Sequence, residues 1–207
     1  MSIYRKCIKR LLDFLIALMA TPFVLIVIAI MAPIIYINDP GPVFYNGLRR
    51  GLNGRKFKMF KFRSMYVKSP DLRNEDGSTF NSSNDPRVTK IGLIMRKTSL
   101  DEIPQILNVL LGDMSFVGPR PTLAIKSFNE IPVEDRKRYQ VRPGITGYAQ
   151  AYYRNSILQK EKYNKDNYYV DHFSFVLDIK ILLKTVSSVL KHENVFVSDS
   201  QKPSQIK

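Results

Sequence analysis

Phe14 to Ile37 reads FLIALMATPFVLIVIAIMAPIIYI, a stretch without one charged side chain. At about 1.5 Å per helical residue it is long enough to cross a hydrocarbon layer of about 30 Å, so the chain meets a bilayer. Arg5, Lys6, Lys9 and Arg10 precede it, and Arg49, Arg50, Arg55 and Lys56 follow soon after. Cytoplasmic flanks attract Lys and Arg, so a simple span would leave one basic cluster on the wrong side. Thr21-Pro22 offers a second route. Proline removes a backbone donor and kinks a helix, so the stretch can bend there and leave through the face by which it entered. The Thr21 hydroxyl would then bond a carbonyl freed by Pro22, where water is absent. A kinked span and a re-entrant helix-break-helix both fit these residues. The basic start is like that of a secretion signal, but the apolar run exceeds the usual ~7–15-residue core and no small-x-small cleavage site follows, which predicts retention.

The rest of the composition narrows the classes. The chain has 207 residues, 44% of them hydrophobic, enough for a real core, and whole-chain disorder is excluded. With 32 Lys+Arg against 18 Asp+Glu the net charge is +14. Such a charge must meet nucleic acid, an anionic membrane or a phosphorylated substrate. Cys7 is the single cysteine, which excludes an internal disulfide and a thiolate zinc site. His172 and His192 lack the i, i+4 spacing of a helical zinc site, so a metal here would be held by oxygen.

Asn38-Asp39-Pro40-Gly41-Pro42 is a strong breaker. It divides the chain into a membrane helix (1–38), a soluble domain (39–192) and a loose tail (193–207) without periodicity. Val43 to Tyr45 and Phe57 to Met65 have strand-like composition and flank Asn53-Gly54, a dipeptide suited to a hairpin. Alternation along the second strand places Lys61 and Arg63 on one face, as phosphate-binding candidates or a solvated basic edge, and Phe60 and Phe62 in the core. Ser69 to Asp85 reads as a polar surface loop. Ile103 to Leu111 reads as a helix stopped near Gly112. Ile179, Leu182, Leu183, Val186, Val189 and Leu190 recur at helical spacing among Lys180, Lys184 and Lys191, an amphipathic basic helix that either lies among headgroups or covers a core. The fold class is α+β and mostly helical.

Asp101 and Glu102 are adjacent acids among cations. Ser99-Leu100-Asp101-Glu102 matches a capping box, in which Glu102 folds back onto the cap. Pro104 sits awkwardly with Ser99 as the cap, because it deletes a bond within the first turns, whereas with Asp101 as the cap it lands where no donor is needed. The other reading is chemical: a carboxylate beside oxygen-bound Mg²⁺ and several Arg and Lys side chains can attack phosphorus and form an acyl phosphate. One acid attacks while the other holds metal or handles a proton. Gly118-Pro119-Arg120-Pro121 fixes a guanidinium on a rigid backbone suited to bidentate phosphate binding. Arg142-Pro143-Gly144-Ile145-Thr146-Gly147 joins an Arg to glycines that allow close approach to a phosphate, making Arg142, Gly144 and Thr146 further candidates. Neither Walker A nor G-x-G-x-x-G occurs.

Lys9-Arg10-Leu11-Leu12-Asp13, Lys61-Phe62-Arg63-Ser64-Met65, Ser99 to Gln105, Gly112 to Pro121 and Arg142 to Gly147, in this order, give a chain that resembles the small monotopic phosphoglycosyl transferases among the bacterial sugar transferases. The likeness covers roughly Arg5 to Lys191. It implies transfer of a sugar-1-phosphate from a UDP-sugar to undecaprenyl phosphate, with release of UMP, through a covalent phosphosugar enzyme. Asp101 matches the family's nucleophile and Glu102 its partner in Mg²⁺ and proton handling; Lys61, Arg96 and Arg120 fall on phosphate-contacting positions. The family's re-entrant helix breaks at Ser-Pro, where this chain has Thr21-Pro22. The resemblance thus implies a monotopic protein at the cytoplasmic face of the bacterial inner membrane, with a small β-hairpin, interfacial amphipathic helices and no nucleic-acid partner. A homodimer is left open. Gly47-Leu48-Arg49 replaces a usual Gln-x-Arg, and Tyr153-Arg154-Asn155 a frequent Gly-Arg-Asn, departures that bear on sugar identity. Against the enzyme stand a membrane-tethered basic binding module and a non-catalytic scaffold of polysaccharide assembly, both disfavoured by the acid pair.

Overall fold

The computed structural model describes residues 3–73, 80, 82, 84–153, 156–191 and 204–205. The apolar stretch forms one continuous helix, α1 (Lys9–Asn38), preceded by a π-helical turn over Tyr4–Ile8. Pro22 and Pro33 lie inside α1 and do not end it, so the expected break at Thr21-Pro22 is not an interruption of the helix. Nor does Thr21 bond the carbonyl of Leu18, which Pro22 frees; its Oγ1 donates to the Ala17 carbonyl at 2.8 Å. A hydroxyl bonded back to its own i−4 carbonyl beside a proline favours bending over rupture.

Both ends of α1 are moored to the rest of the molecule. At its start the Arg10 guanidinium donates to the carbonyls of Val109 (2.7 Å) and Leu110 (3.1 Å), and buried Asp13 accepts the Phe116 N–H at 3.2 Å. At its exit Asp39 pairs with the Arg63 guanidinium and accepts the Val67 N–H at 3.0 Å. Between these ties, Ala17 packs with Phe57, Met59, Val109 and Met114, and Ile35 with Phe62 and Met95. Met19, Phe23, Leu25 and Ile26 point outward and are exposed.

The hairpin forms at the expected dipeptide but with different strands. β1 (Gly47–Arg50) pairs antiparallel with β2 (Lys56–Met59), Arg49 opposite Phe57; the connection is not a tight two-residue turn but the loop 51–55, closed by the Gly51 N–H on the Arg55 carbonyl at 2.8 Å, within which Asn53 and Gly54 have positive φ, 52° and 78°. Val43 to Tyr45 supplies only an isolated bridge, Phe44 to Phe62. β2 stops at Met59 because the next N–H groups turn elsewhere: Phe60 donates to Asn108 Oδ1 (2.8 Å) and Phe62 to the Asp101 carbonyl (3.0 Å). Two-residue alternation therefore ends there. Phe62 and Arg63 are both buried, and Lys61 and Arg63 do not share a face.

Further along come β3 (Leu72–Arg73), α2 (Lys90–Thr98), α3 (Gln105–Leu111), β4 (Ser115–Val117), β5 (Thr122–Leu123), α4 (Val133–Arg136) and β6 (Gly144–Thr146). Then follow α5 (Tyr148–Tyr152), α6 (Gln159–His172), α7 (Phe175–Leu190) and β7 (Ser204–Gln205). Gly112, at φ 91°, stops α3 where expected. β5 joins the hairpin beside β1, and β4 runs parallel to β6. From the tail, β7 pairs with β3; the rest of residues 193–207, and much of the polar loop 69–85, lie outside the described residues. α7 covers the core on one side and leaves apolar side chains exposed on another. Ile181 is buried in the core, whereas Phe175, Val176, Ile179, Leu183 and Val186 form an exposed apolar stripe.

Gly144 and Gly118 explain the close pairing of β4 and β6. A Cβ on Gly144 would lie 2.1 Å from the Gly118 nitrogen and 2.2 Å from the Thr146 oxygen, both backbone atoms that cannot swing away. Gly144→Ala is expected to cost about 2–3 kcal/mol by overpacking, read as a lower thermal midpoint in detergent. A midpoint equal to the parent's would show that the two strands can separate freely.

Candidate active site

Asp101 and Glu102 sit in a single 3₁₀ turn, Leu100–Glu102, between α2 and α3. Ser99 enters it at φ 59°, a left-handed conformation that reverses the chain, and its side chain makes no cap bond. The capping box is therefore not formed: α3 begins after Pro104, and the Glu102 carboxylate faces cations instead. Asp101 is 2% exposed, with Lys61 Nζ 2.7 Å from its Oδ2. The same ammonium lies 3.3 Å from Glu102 Oε1, and Arg120 Nη2 approaches that oxygen at 3.7 Å. Lys61 thus bridges the two acids, and Arg120, 59% exposed, covers the outer one.

The backbone on both sides of Lys61 is fixed. Asn108, fully buried on α3, accepts from the Phe60 N–H and donates to the Lys58 carbonyl at 2.8 Å, completing the sheet edge with a side-chain amide. The Asp101 carbonyl holds Phe62, and the Lys61 carbonyl accepts from Tyr45 at 2.8 Å. Arg96, in the last turn of α2, donates from Nε to Ser64 Oγ at 3.0 Å. Burial lowers its pKa, with Asp101 and Asp85 pulling the other way, so its charge is felt at Asp101. Asp85 is locked in a buried bidentate pair with Arg87, at 2.9 and 2.7 Å.

Burial pushes the Asp101 carboxyl above the ordinary carboxylate range; Lys61 opposes this, Glu102 adds to it, and Arg96 opposes it more weakly. A buried, partly desolvated carboxylate under one ammonium, with two guanidiniums nearby, is suited to attack an electrophile that arrives with negative charge.

A sequence model of the family described as bacterial sugar transferase matches residues 4–192. An uncharacterized sugar transferase of Bacillus subtilis, EpsL, is 40% identical over 191 residues, covering 91% of this chain and 90% of the relative. The chain belongs to the bacterial sugar transferase family. It is also similar to larger relatives, of which it spans less than half. The Aeromonas hydrophila UDP-N-acetylgalactosamine-undecaprenyl-phosphate N-acetylgalactosaminephosphotransferase is 39% identical over 88% of this chain and 44% of its own length. The Escherichia coli UDP-glucose:undecaprenyl-phosphate glucose-1-phosphate transferase is 38% identical over 87% of this chain and 40% of its own length.

In this sugar transferase, Lys61, Arg96 and Arg120 gather about Asp101 and Glu102, whereas four other candidates do not. Arg63 is spent on Asp39 and on the Pro42 carbonyl (2.6 Å), closing the exit of α1. Arg142 lies at the far end of α3, its Nε donating to the Gly112 carbonyl at 2.9 Å; burial and nearby Arg10 lower its pKa. Gly144 serves strand pairing, and Thr146 shares a hydroxyl contact of 2.7 Å with Thr185 on α7. Sequence reasoning missed Asn108 and Ser64. For Asn108 there was one signal, an amide amid the apolar side chains of Ile106, Leu107, Val109 and Leu110.

Proposed function

We propose that this sugar transferase carries a sugar-1-phosphate from a UDP-sugar to undecaprenyl phosphate by way of a covalent aspartyl phosphosugar. The observation that carries the reading is the Asp101 carboxylate, buried beneath Lys61 and flanked by Glu102, Arg96 and Arg120. An Asp101 oxygen attacks the sugar-bearing phosphorus. The bond from that phosphorus to the bridging oxygen breaks, and UMP departs with the electron pair. Undecaprenyl phosphate then attacks the same phosphorus, and Asp101 leaves as a carboxylate. Lys61, Arg96 and Arg120 balance the charge of the phosphoryl oxygens throughout. The names of the Aeromonas and Escherichia relatives support the donor class and the acceptor.

Mg²⁺ fits this donor set. It is a hard cation that takes one or two carboxylates and fills its remaining positions with water and substrate phosphates. Asp101 and Glu102 are two such carboxylates, and among the described residues no cluster of three or more His, Cys, Asp or Glu side chains forms an all-protein cage. Those two acids would hold the ion, which would supply further neutralisation of the diphosphate.

We also propose that α1 enters and leaves the bilayer at the cytoplasmic face of the inner membrane. Arg10 and Asp13 at its start and Asp39 at its exit are tied to the same soluble domain, an arrangement that favours re-entry over a straight span. The outward stripe of α7 would lie in the same interface.

Full-length protein, given a panel of UDP-sugars with Mg²⁺ and undecaprenyl phosphate, is expected to release UMP from at least one donor and to stop when EDTA is added. With donor alone, intact mass should rise by one sugar phosphate. No UMP from any donor, or turnover with no trapped adduct, would overturn the reading.

A further inference from the structure

Arg138 follows α4 and Asp166 lies on α6, and their side chains are 2% and 3% exposed, with Nη2 2.6 Å from Oδ2. The same Nη2 donates to the Arg120 carbonyl at 2.7 Å. The guanidinium stacks on the Tyr163 ring at 4.2 Å, and its Nη1 is buried without a hydrogen-bond partner. Burial pushes Asp166 up to about 6 against the pull of Arg138, Lys162 and Arg120. A buried ion pair with an orphaned donor contributes less to stability than apolar packing of the same volume. Its return lies in what it touches, the backbone of the Gly118-Pro119-Arg120-Pro121 turn. The other side of that turn is pinned too, since the Pro119 carbonyl accepts the Gly144 N–H at 3.0 Å. The Arg120 side chain, mostly in solvent, is directed by the long approach to Glu102 and by the charge of Asp166 behind the turn.

We infer that Arg138 and Asp166 are positioning residues, which hold the Arg120 carbonyl so that its guanidinium faces Glu102 and a phosphate bound there. The inference rests on the proposed phosphate-binding role of Arg120. Asp166→Asn keeps the volume and removes the charge that orients Arg138. Arg138→Lys keeps the charge but replaces the planar fork that serves carboxylate and carbonyl together with a single ammonium. Each variant acts on the turn without touching the acid pair.

A double-mutant cycle on the full-length protein separates positioning from simple structural support. UMP release would be measured for Asp166→Asn, Arg138→Lys and Arg120→Ala, and for the first two combined with Arg120→Ala, with the thermal midpoint recorded for each. Arg120→Ala is expected to lower kcat/KM by about 10–100-fold. Asp166→Asn and Arg138→Lys should each lower it about tenfold alone, but less than twofold once Arg120 is gone, with the same midpoint shift in both backgrounds. Losses that multiply across the two backgrounds would overturn the positioning role. If Asp166→Asn does not fold, Arg138→Lys decides alone. Full activity in Arg120→Ala would instead defeat the role assigned to Arg120, a result distinguishable from the first.

Discussion

Asp101→Asn is expected to reduce UMP release by about four orders of magnitude or more, the scale seen when a covalent nucleophile is deleted. The amide keeps the shape of the side chain but offers no anionic oxygen to phosphorus. Stability should move the other way or not at all. Burial already disfavours the ionised form of Asp101, so a neutral isostere relieves desolvation at a site that is 2% exposed. The thermal midpoint should therefore match or exceed the parent's, and sedimentation with membranes should be unchanged. Near-normal turnover would remove Asp101 from the chemistry, and a collapsed midpoint would show that its charge is needed for folding.

Lys61→Met carries the next largest effect. It removes the ammonium 2.7 Å from Asp101 and 3.3 Å from Glu102, leaving two adjacent acids to repel each other. A loss of about 10²–10³-fold in kcat/KM is expected from the missing charge stabilisation. The pH dependence has a definite sign. Lys61 is the strongest force drawing the Asp101 carboxyl back down against burial, so its removal moves that carboxyl further up. In the proposed mechanism only the ionised form attacks, so the acid limb of the profile shifts to higher pH. The deficit should be greater at pH 6.5 than at pH 8.5 when UMP release is followed across that range. Parallel profiles for parent and variant would show that Lys61 does not govern the state of Asp101.

The parts legible in the sequence were those whose signal is local. An uncharged run of membrane length, a Gly that stops α3 and an Asn-Gly turn each declare themselves within a few residues, and each is where it was expected. The acids and three of the proposed phosphate cations also came together. What could not be read depended on partners far along the chain. Arg63 looked like the twin of Lys61 because strands alternate, yet the strand ends at Met59, where Asn108 takes the next amide. Arg142 and Gly144 sat in a motif that allows phosphate approach, and nothing local distinguished that from a helix-end brace and a close strand pair. The capping box failed for a similar reason. Its four residues fit the pattern, but Pro104 moves the start of α3 beyond Glu102.

Ala17 and Ile35 lie within α1, and each completes a cluster of the soluble part of the molecule. The long apolar helix is therefore interior lining as well as the proposed anchor. A fragment begun after the breaker at residues 38–42, as one would design for handling in water, would leave Val109 and Met114 on one side and Phe62 and Met95 on the other without their cover. Any reshuffling of this enzyme into a larger protein must splice upstream of Tyr4, carrying the long greasy helix along as cargo it cannot shed.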